Sequence, residues 1–160
     1  MLQNSPLTPA EIENPKYRQW PWRAFAFCSD LGTVGYLANK PKLGLLGWAL
    51  ALPYYLYALI QASKGRQRHQ EMLYQVTANG IFPFAEAKVG VIAGGLLYQR
   101  LIAPFITKYP HLYFSRLTLP ASKIAGGLTA LFTLTPKVGD PLSNWLSNKY
   151  KDYLKKGQSV

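Results

Sequence analysis

Apolar positions dominate the middle of the chain and come in three runs. The longest, Leu43 to Ala62 (LGLLGWALALPYYLYALIQA), passes twenty residues without a charge. At about 1.5 Å of rise per residue, such a helix covers about 30 Å, the thickness of a bilayer's hydrocarbon core. Lys40 and Lys42 stand before it and Lys64, Arg66 and Arg68 after it, while Trp48, Tyr54, Tyr55 and Tyr57 lie within. Aromatic residues are favoured towards the headgroup region. The competing reading, a helix buried in a water-soluble core, fits less well, because such helices rarely run this far without a polar face. Pro53 counts against a straight helix in water, yet membrane helices tolerate proline where neighbours re-satisfy the freed carbonyl. The run predicts a membrane-embedded helix over 43–62.

The second run, Ile81 to Tyr98 (IFPFAEAKVGVIAGGLLY), is apolar over its last ten residues and interrupted by Glu86 and Lys88 in its first half. It predicts a segment over 81–100. The third, Ile124 to Thr135, has twelve residues, too few to span unaided, and extends on its N-terminal side to give 120–135. Pro136 is expected to end it.

Between these runs the pattern changes. Residues 1–15 read as a polar arm, in which Thr8-Pro9-Ala10-Glu11 has the form of a capping box stopped by Pro15. Lys16 to Ala38 begins basic and aromatic and turns apolar. Tyr17, Arg18, Trp20, Trp22 and Arg23 form a candidate interfacial anchor, and Asp30 makes the segment partly buried rather than a clean span. Met72, Leu73 and Val76 share one helical face in 64–80, with Gly80 the expected terminator. Arg100 to Leu119, broken by Pro104 and Pro110 and carrying Tyr109, His111, Tyr113 and Phe114, reads as an irregular connector along an interface. Asp140-Pro141 opens an amphipathic helix over 140–156, with Leu142, Trp145, Leu146, Tyr150, Tyr153 and Leu154 at helical spacing. The expected fold is all-α: an integral membrane protein with two or three membrane-embedded helices plus amphipathic interfacial helices, forming one domain over 16–160.

Composition refines this picture. A mean hydropathy of −0.03 is too low for a chain lying wholly in lipid, so part of it must meet water or other proteins. Eighteen Lys and Arg against seven Asp and Glu give a formal net charge of +11. Nucleic acid, an anionic membrane surface and an acidic partner all suit that charge. The basic residues cluster beside the apolar runs and in the tail, which favours the membrane surface, and no nucleic-acid-binding module accompanies the aromatic residues. Lys40, Lys42, Lys64, Arg66, Arg68 and Arg100 are candidate contacts to lipid headgroups, cardiolipin among them. The N-terminus resembles neither a secretory signal nor a cleavable transit peptide.

Chemistry finds little footing. Cys28 is the lone cysteine, and His69 and His111 share no ligand spacing, so neither metal nor cofactor is expected. Nucleophile-elbow, phosphate-loop and dinucleotide signatures are missing from the sequence, which argues against an enzyme. Asp30 and Glu86 form an acid–base pair only if the fold unites them, and Glu86 and Lys88, two apart, do not face each other on one helix. Gly90 and Gly94, extended by Gly95, form a GxxxG pattern that lets another helix approach closely.

Three blocks in order resemble the mitochondrial fission process protein family of the inner membrane. They are YRQWPWRAFAFCSDLGTVGYL (Tyr17 to Leu37) with the following uncharged helix and ASKG (Ala62 to Gly65); VTANGIFPFAEAKVGVIAGGLLYQRL (Val76 to Leu101); and GLTALFTLTPKVGDPLSNWLSNKYKDYL (Gly127 to Leu154). The family's Pro-Ile-Asp turn is matched by the altered Pro136-Lys137-Val138-Gly139-Asp140-Pro141. The resemblance implies a small integral protein of the mitochondrial inner membrane, involved in membrane shape or in its protein complexes, and brings no active-site residues. Interrupted membrane segments, basic flanks and aromatic-rich arms lead to the expectation of a structural accessory subunit of an ATP synthase or respiratory chain complex. A free-standing regulator of mitochondrial fission is the alternative, and a basic soluble or ribosome-associated protein the third reading.

Overall fold

A computed structural model of the chain describes residues 14–64, 68–111 and 118–157. The Thr8–Glu11 capping pattern, Arg66, Tyr113 and Phe114 lie outside the described residues, as does the side chain of Tyr17. The fold is all-helical, 91% helix, with no strand among the described residues. After a short 3₁₀ turn at Pro15–Tyr17, α1 (Trp22–Leu37) and α2 (Pro41–Lys64) form an antiparallel hairpin. Its turn closes through Asn39 at φ 60°, a left-handed conformation that asparagine tolerates, with Lys40 N–H donating to Gly35 O at 2.9 Å. Glycines let the two backbones meet: a Cβ on Gly47 would stand 2.5 Å from Gly32 Cα.

The remainder is two long helical rods. The first runs from Arg68 to Lys108 as α3 (Arg68–Val76), α4 (Phe82–Leu97) and α5 (Ala103–Lys108), joined by π turns at Thr77–Ile81 and Tyr98–Ile102. The second joins α6 (Leu119–Leu134) to α7 (Asp140–Gly157) through a π turn at Thr135–Gly139.

These π turns overturn three expectations. Gly80 does not terminate its helix, Pro136 does not end the third apolar run, and residues 100–108 are helix rather than irregular connector. Pro83, Pro104 and Pro136 each lack the N–H an α-helix needs, and each sits at or beside a π turn. There the hydrogen bond reaches one residue further, from Phe82 N–H to Thr77 O, Ala103 N–H to Tyr98 O and Asp140 N–H to Thr135 O. The extra residue absorbs the proline, and the axis continues. Asp140 therefore continues a helix and does not cap a free end.

The rods pack along α4 and α6, and α1 lies against both. Val34, Ala87, Val91 and Leu131 form the apolar core where the three meet. Beyond it α3 runs beside α7 and the end of α2. Much of the packed surface here is polar. On α3, Gln70, Tyr74 and Gln75 are buried, Met72 and Leu73 are half-buried, and Val76 is 50% exposed. On α7, Ser143 and Ser147 are fully buried, whereas Trp145 is 54% exposed.

Two helices, Pro41–Lys64 and the rod Arg68–Lys108, are long and apolar enough to cross a membrane. Their most apolar stretches are 28% and 22% buried, whereas the core helix of a soluble protein is mostly buried. Leu45, Leu46, Leu50, Leu52 and Leu56 on α2, and Val89, Ile92, Leu96 and Leu97 on α4, all point outward.

Candidate functional site

Where the two rods pass the middle of the hairpin, the interior changes from apolar to polar. Asp30 enters from α1, Tyr54 from α2, Asn79 from the first π turn and Glu86 from α4. Thr135 comes from the third π turn, Asp140 from the start of α7, and Asn14 and Lys16 from the segment before α1. Each is buried or nearly so except Lys16, at 18% side-chain exposure, and Asn79, which is half-buried.

The geometry is a set of linked pairs. Lys16 Nζ stands 3.6 Å from Asp30 Oδ2. Asn14 Oδ1 accepts from the Lys16 backbone N–H at 3.0 Å, which turns the chain so that this lysine faces inward. The Tyr54 hydroxyl is within hydrogen-bond distance of both Asn14 Oδ1, at 2.9 Å, and Asn79 Oδ1. Asn79 in turn donates through Nδ2 to Gln75 Oε1 at 2.6 Å. Thr135 Oγ1 donates to Glu86 Oε2 at 2.6 Å, and Glu86 Oε1 has no hydrogen-bond partner among the described residues. That second oxygen fits because residue 139 is glycine: a Cβ there would stand 2.7 Å from it. Lys16, Asp30 and Asp140 all lie within electrostatic reach of Glu86. Three carboxylates from three helices thus lie near one another, and Lys16 reaches two of them, Asp30 and Glu86.

Such a cluster locks helices to one another, since a buried polar group is costly unless it keeps its partner. Among the described residues no group of His, Cys, Asp and Glu is arranged to hold a metal ion. No nucleophile–base pair stands out in the cluster. What the arrangement does chemically is bind its own elements, pinning the segment before α1 and the first π turn around Tyr54 and the third π turn to α4. Replacing Tyr54 by Phe should lower stability by about 1 to 2 kcal/mol, because the one hydroxyl proton that Asn14 Oδ1 and Asn79 Oδ1 share is lost from a buried position. Thermal unfolding in mild detergent reads this directly, and an unchanged midpoint would show the hydroxyl to be idle.

The residues singled out in the sequence fall in separate places. Gly90 and Gly94 do face another helix: a Cβ on either would come within 3.0 Å of α6, at Gly126 and Ala130 or at Ser122. Ser122 Oγ completes that contact by donating to Gly94 O at 2.8 Å. Gly95 lies at its margin, where a Cβ would meet the Lys123 side chain at 3.2 Å. Of the anchor residues, Arg18 donates to the Tyr57 hydroxyl and Trp22 stacks on the Tyr57 ring at 4.2 Å, so these two fasten α1 to α2. Trp20 is 79% exposed, and Arg23 borders a cavity of about 250 Å³ with Lys16, Asp30 and Phe132. Lys40 and Lys42 rim an apolar groove of about 500 Å³ with Leu43 and Ile124. Arg100 is exposed towards that end, and Lys64 and Arg68 are exposed at the other.

Asp30 and Glu86 share the cluster, while Lys88 faces outward, away from it. Asn14, Lys16, Tyr54, Asn79, Thr135 and Asp140 went unmarked in the sequence as partners. Their available signal was the recurrence of polar side chains on the inner face of otherwise apolar helices. Comparison with family models, curated proteins and solved structures returns no match.

Proposed function

We propose that the chain is a non-catalytic, membrane-embedded helical subunit whose work is structural: it holds a fixed set of helices in lipid and offers them to neighbouring proteins. The observation that carries this reading is the inverted distribution of side chains. Carboxylates, amides, hydroxyls and a lysine are turned inward, while leucines, isoleucines and valines are turned outward over two helices of spanning length. In water this arrangement would expose too large an apolar surface, and lipid removes the conflict.

The resemblance to the mitochondrial fission process protein family supports a place in the mitochondrial inner membrane. There an accessory subunit of an ATP synthase or respiratory chain complex, contributing to assembly or membrane shaping, fits a chain whose buried polar residues tie its own helices together. The same resemblance favours a second reading, a free-standing regulator of fission and inner-membrane morphology. Lysines at both ends of α2 suit anionic headgroups such as cardiolipin in either case.

Two measurements test this. In alkaline carbonate the protein should stay with the membrane pellet, and release into the supernatant would overturn both membrane readings in favour of a basic soluble protein. Native gel electrophoresis of mildly solubilised mitochondrial membranes should then show it migrating with one large energy-converting complex. Migration as a small free species would select the fission-regulator reading.

A further inference from the structure

The two charged residues of α4 part company: Glu86 turns into the cluster, and Lys88 turns outward. Lys88 shares its face with Phe84, 42% exposed, Ala85, and Ile92, 54% exposed. It lies seven residues after Ile81 and twelve before Arg100, so about 10 Å and 18 Å from those positions along the axis. A four-carbon stem can lean towards an interface but falls short of bringing the ammonium out of an apolar belt of that height.

No described carboxylate stands within ion-pair distance of Lys88. Asp30, Glu86 and Asp140 are buried in the cluster, and Glu71 and Asp152 sit towards the far ends of α3 and α7. A second copy of this chain therefore offers no described outward-facing carboxylate at the depth of Lys88.

Resting on the membrane-embedded reading above, we infer that the Phe84–Lys88–Ile92 face of α4 is a docking surface for a membrane-spanning helix of a different protein, one that carries an Asp or Glu opposite Lys88. A bare ammonium inside an apolar belt is expensive and normally faces a partner or a water-filled cavity. A carboxylate at matching depth neutralises it, and the flanking Phe84 and Ile92 supply apolar contact on either side. Charge selects the partner and its register, because a helix without the acid leaves Lys88 unpaired.

The test uses the full chain in its native membranes, with a photoreactive residue at Ile92, one turn from Lys88, and a control at the outward Leu52. The Ile92 probe should capture one membrane protein that the Leu52 probe does not. Lys88→Leu should reduce that adduct by more than about tenfold, Lys88→Arg should keep it, and Lys88→Glu should be rescued by lysine in place of the partner's carboxylate. Capture of lipid alone would show that the lysine reaches headgroups and would overturn the proposal. So would an adduct with a second copy of this chain, or an adduct unaffected by Lys88→Leu. If the parent protein remains in the carbonate pellet, such a result removes this surface alone. Release of the parent by carbonate removes the membrane reading and the surface with it.

Discussion

Replacing Gly90 or Gly94 by leucine should separate α4 from α6 while leaving the chain in the membrane. At either position even a Cβ would come within 3.0 Å of the opposite helix, and for both glycines an atom it meets is backbone. Backbone cannot rotate aside as a side-chain tip can, so the helices must part. Parting them also breaks the Ser122–Gly94 hydrogen bond and opens the Val34–Ala87–Val91–Leu131 core. The expected loss exceeds about 3 kcal/mol, above the usual range for overpacking, because a whole helix pair must shift. Two controls isolate the cause. Gly80→Ala should be close to neutral, since a Cβ there meets nothing within 4 Å. Gly95→Ala should cost little, since it meets the flexible Lys123 side chain. Thermal unfolding in detergent measures the stability, and carbonate extraction confirms that insertion survives. Equal midpoints for Gly90→Leu and the parent would refute close packing at this contact.

That contact shows what a sequence can and cannot disclose. Gly90 and Gly94 were legible because small residues four apart on one helix mark a face that another helix can approach. Their partners on α6, Gly126 and Ser122, were not, because pairing between elements is set by how the rods dock. The Gly32–Gly44–Gly47 contact of the hairpin leaves no such mark, because Gly32 lies on a different helix from Gly44 and Gly47. Helix ends depart from the sequence expectation at Gly80, Pro104 and Pro136, where the axis continues through π turns. A π turn accommodates such residues without ending the axis, and its bond from residue i+5 leaves no local signature stronger than the proline itself.

The polar cluster was the least legible feature. Asp30 and Glu86 were conspicuous as charges in apolar surroundings, yet nothing near them in sequence named their partners. Glu86 finds Thr135 forty-nine residues away, and Tyr54 finds Asn14 forty away. On α7 Trp145 and Tyr153 are exposed while Ser143 and Ser147 are buried, and on α3 Val76 is exposed while Gln70 is buried. Gln70 donates to Asn148, seventy-eight residues away, across the α3–α7 contact at 3.0 Å.

Replacing Lys16 by Met should destabilise the chain by about 3 kcal/mol, since it leaves Asp30 buried without its cation. The residual exposure of Lys16 places the loss at the lower end of the range for broken buried pairs. The lysine also lies within electrostatic reach of Glu86, so its removal takes positive charge away from two carboxylates of the cluster. Adding Asp30→Asn to Lys16→Met should recover most of the loss, because the amide keeps the shape and removes the unpaired charge. If the ion pair is the cause, the double variant unfolds within about 1 kcal/mol of the parent, since trading a buried pair for neutral groups is often nearly neutral. If single and double variants fall together, Lys16 acts through its methylene stem or through the backbone turn that Asn14 fixes. The cluster would then be held by its hydroxyls and amides, with charge incidental to it.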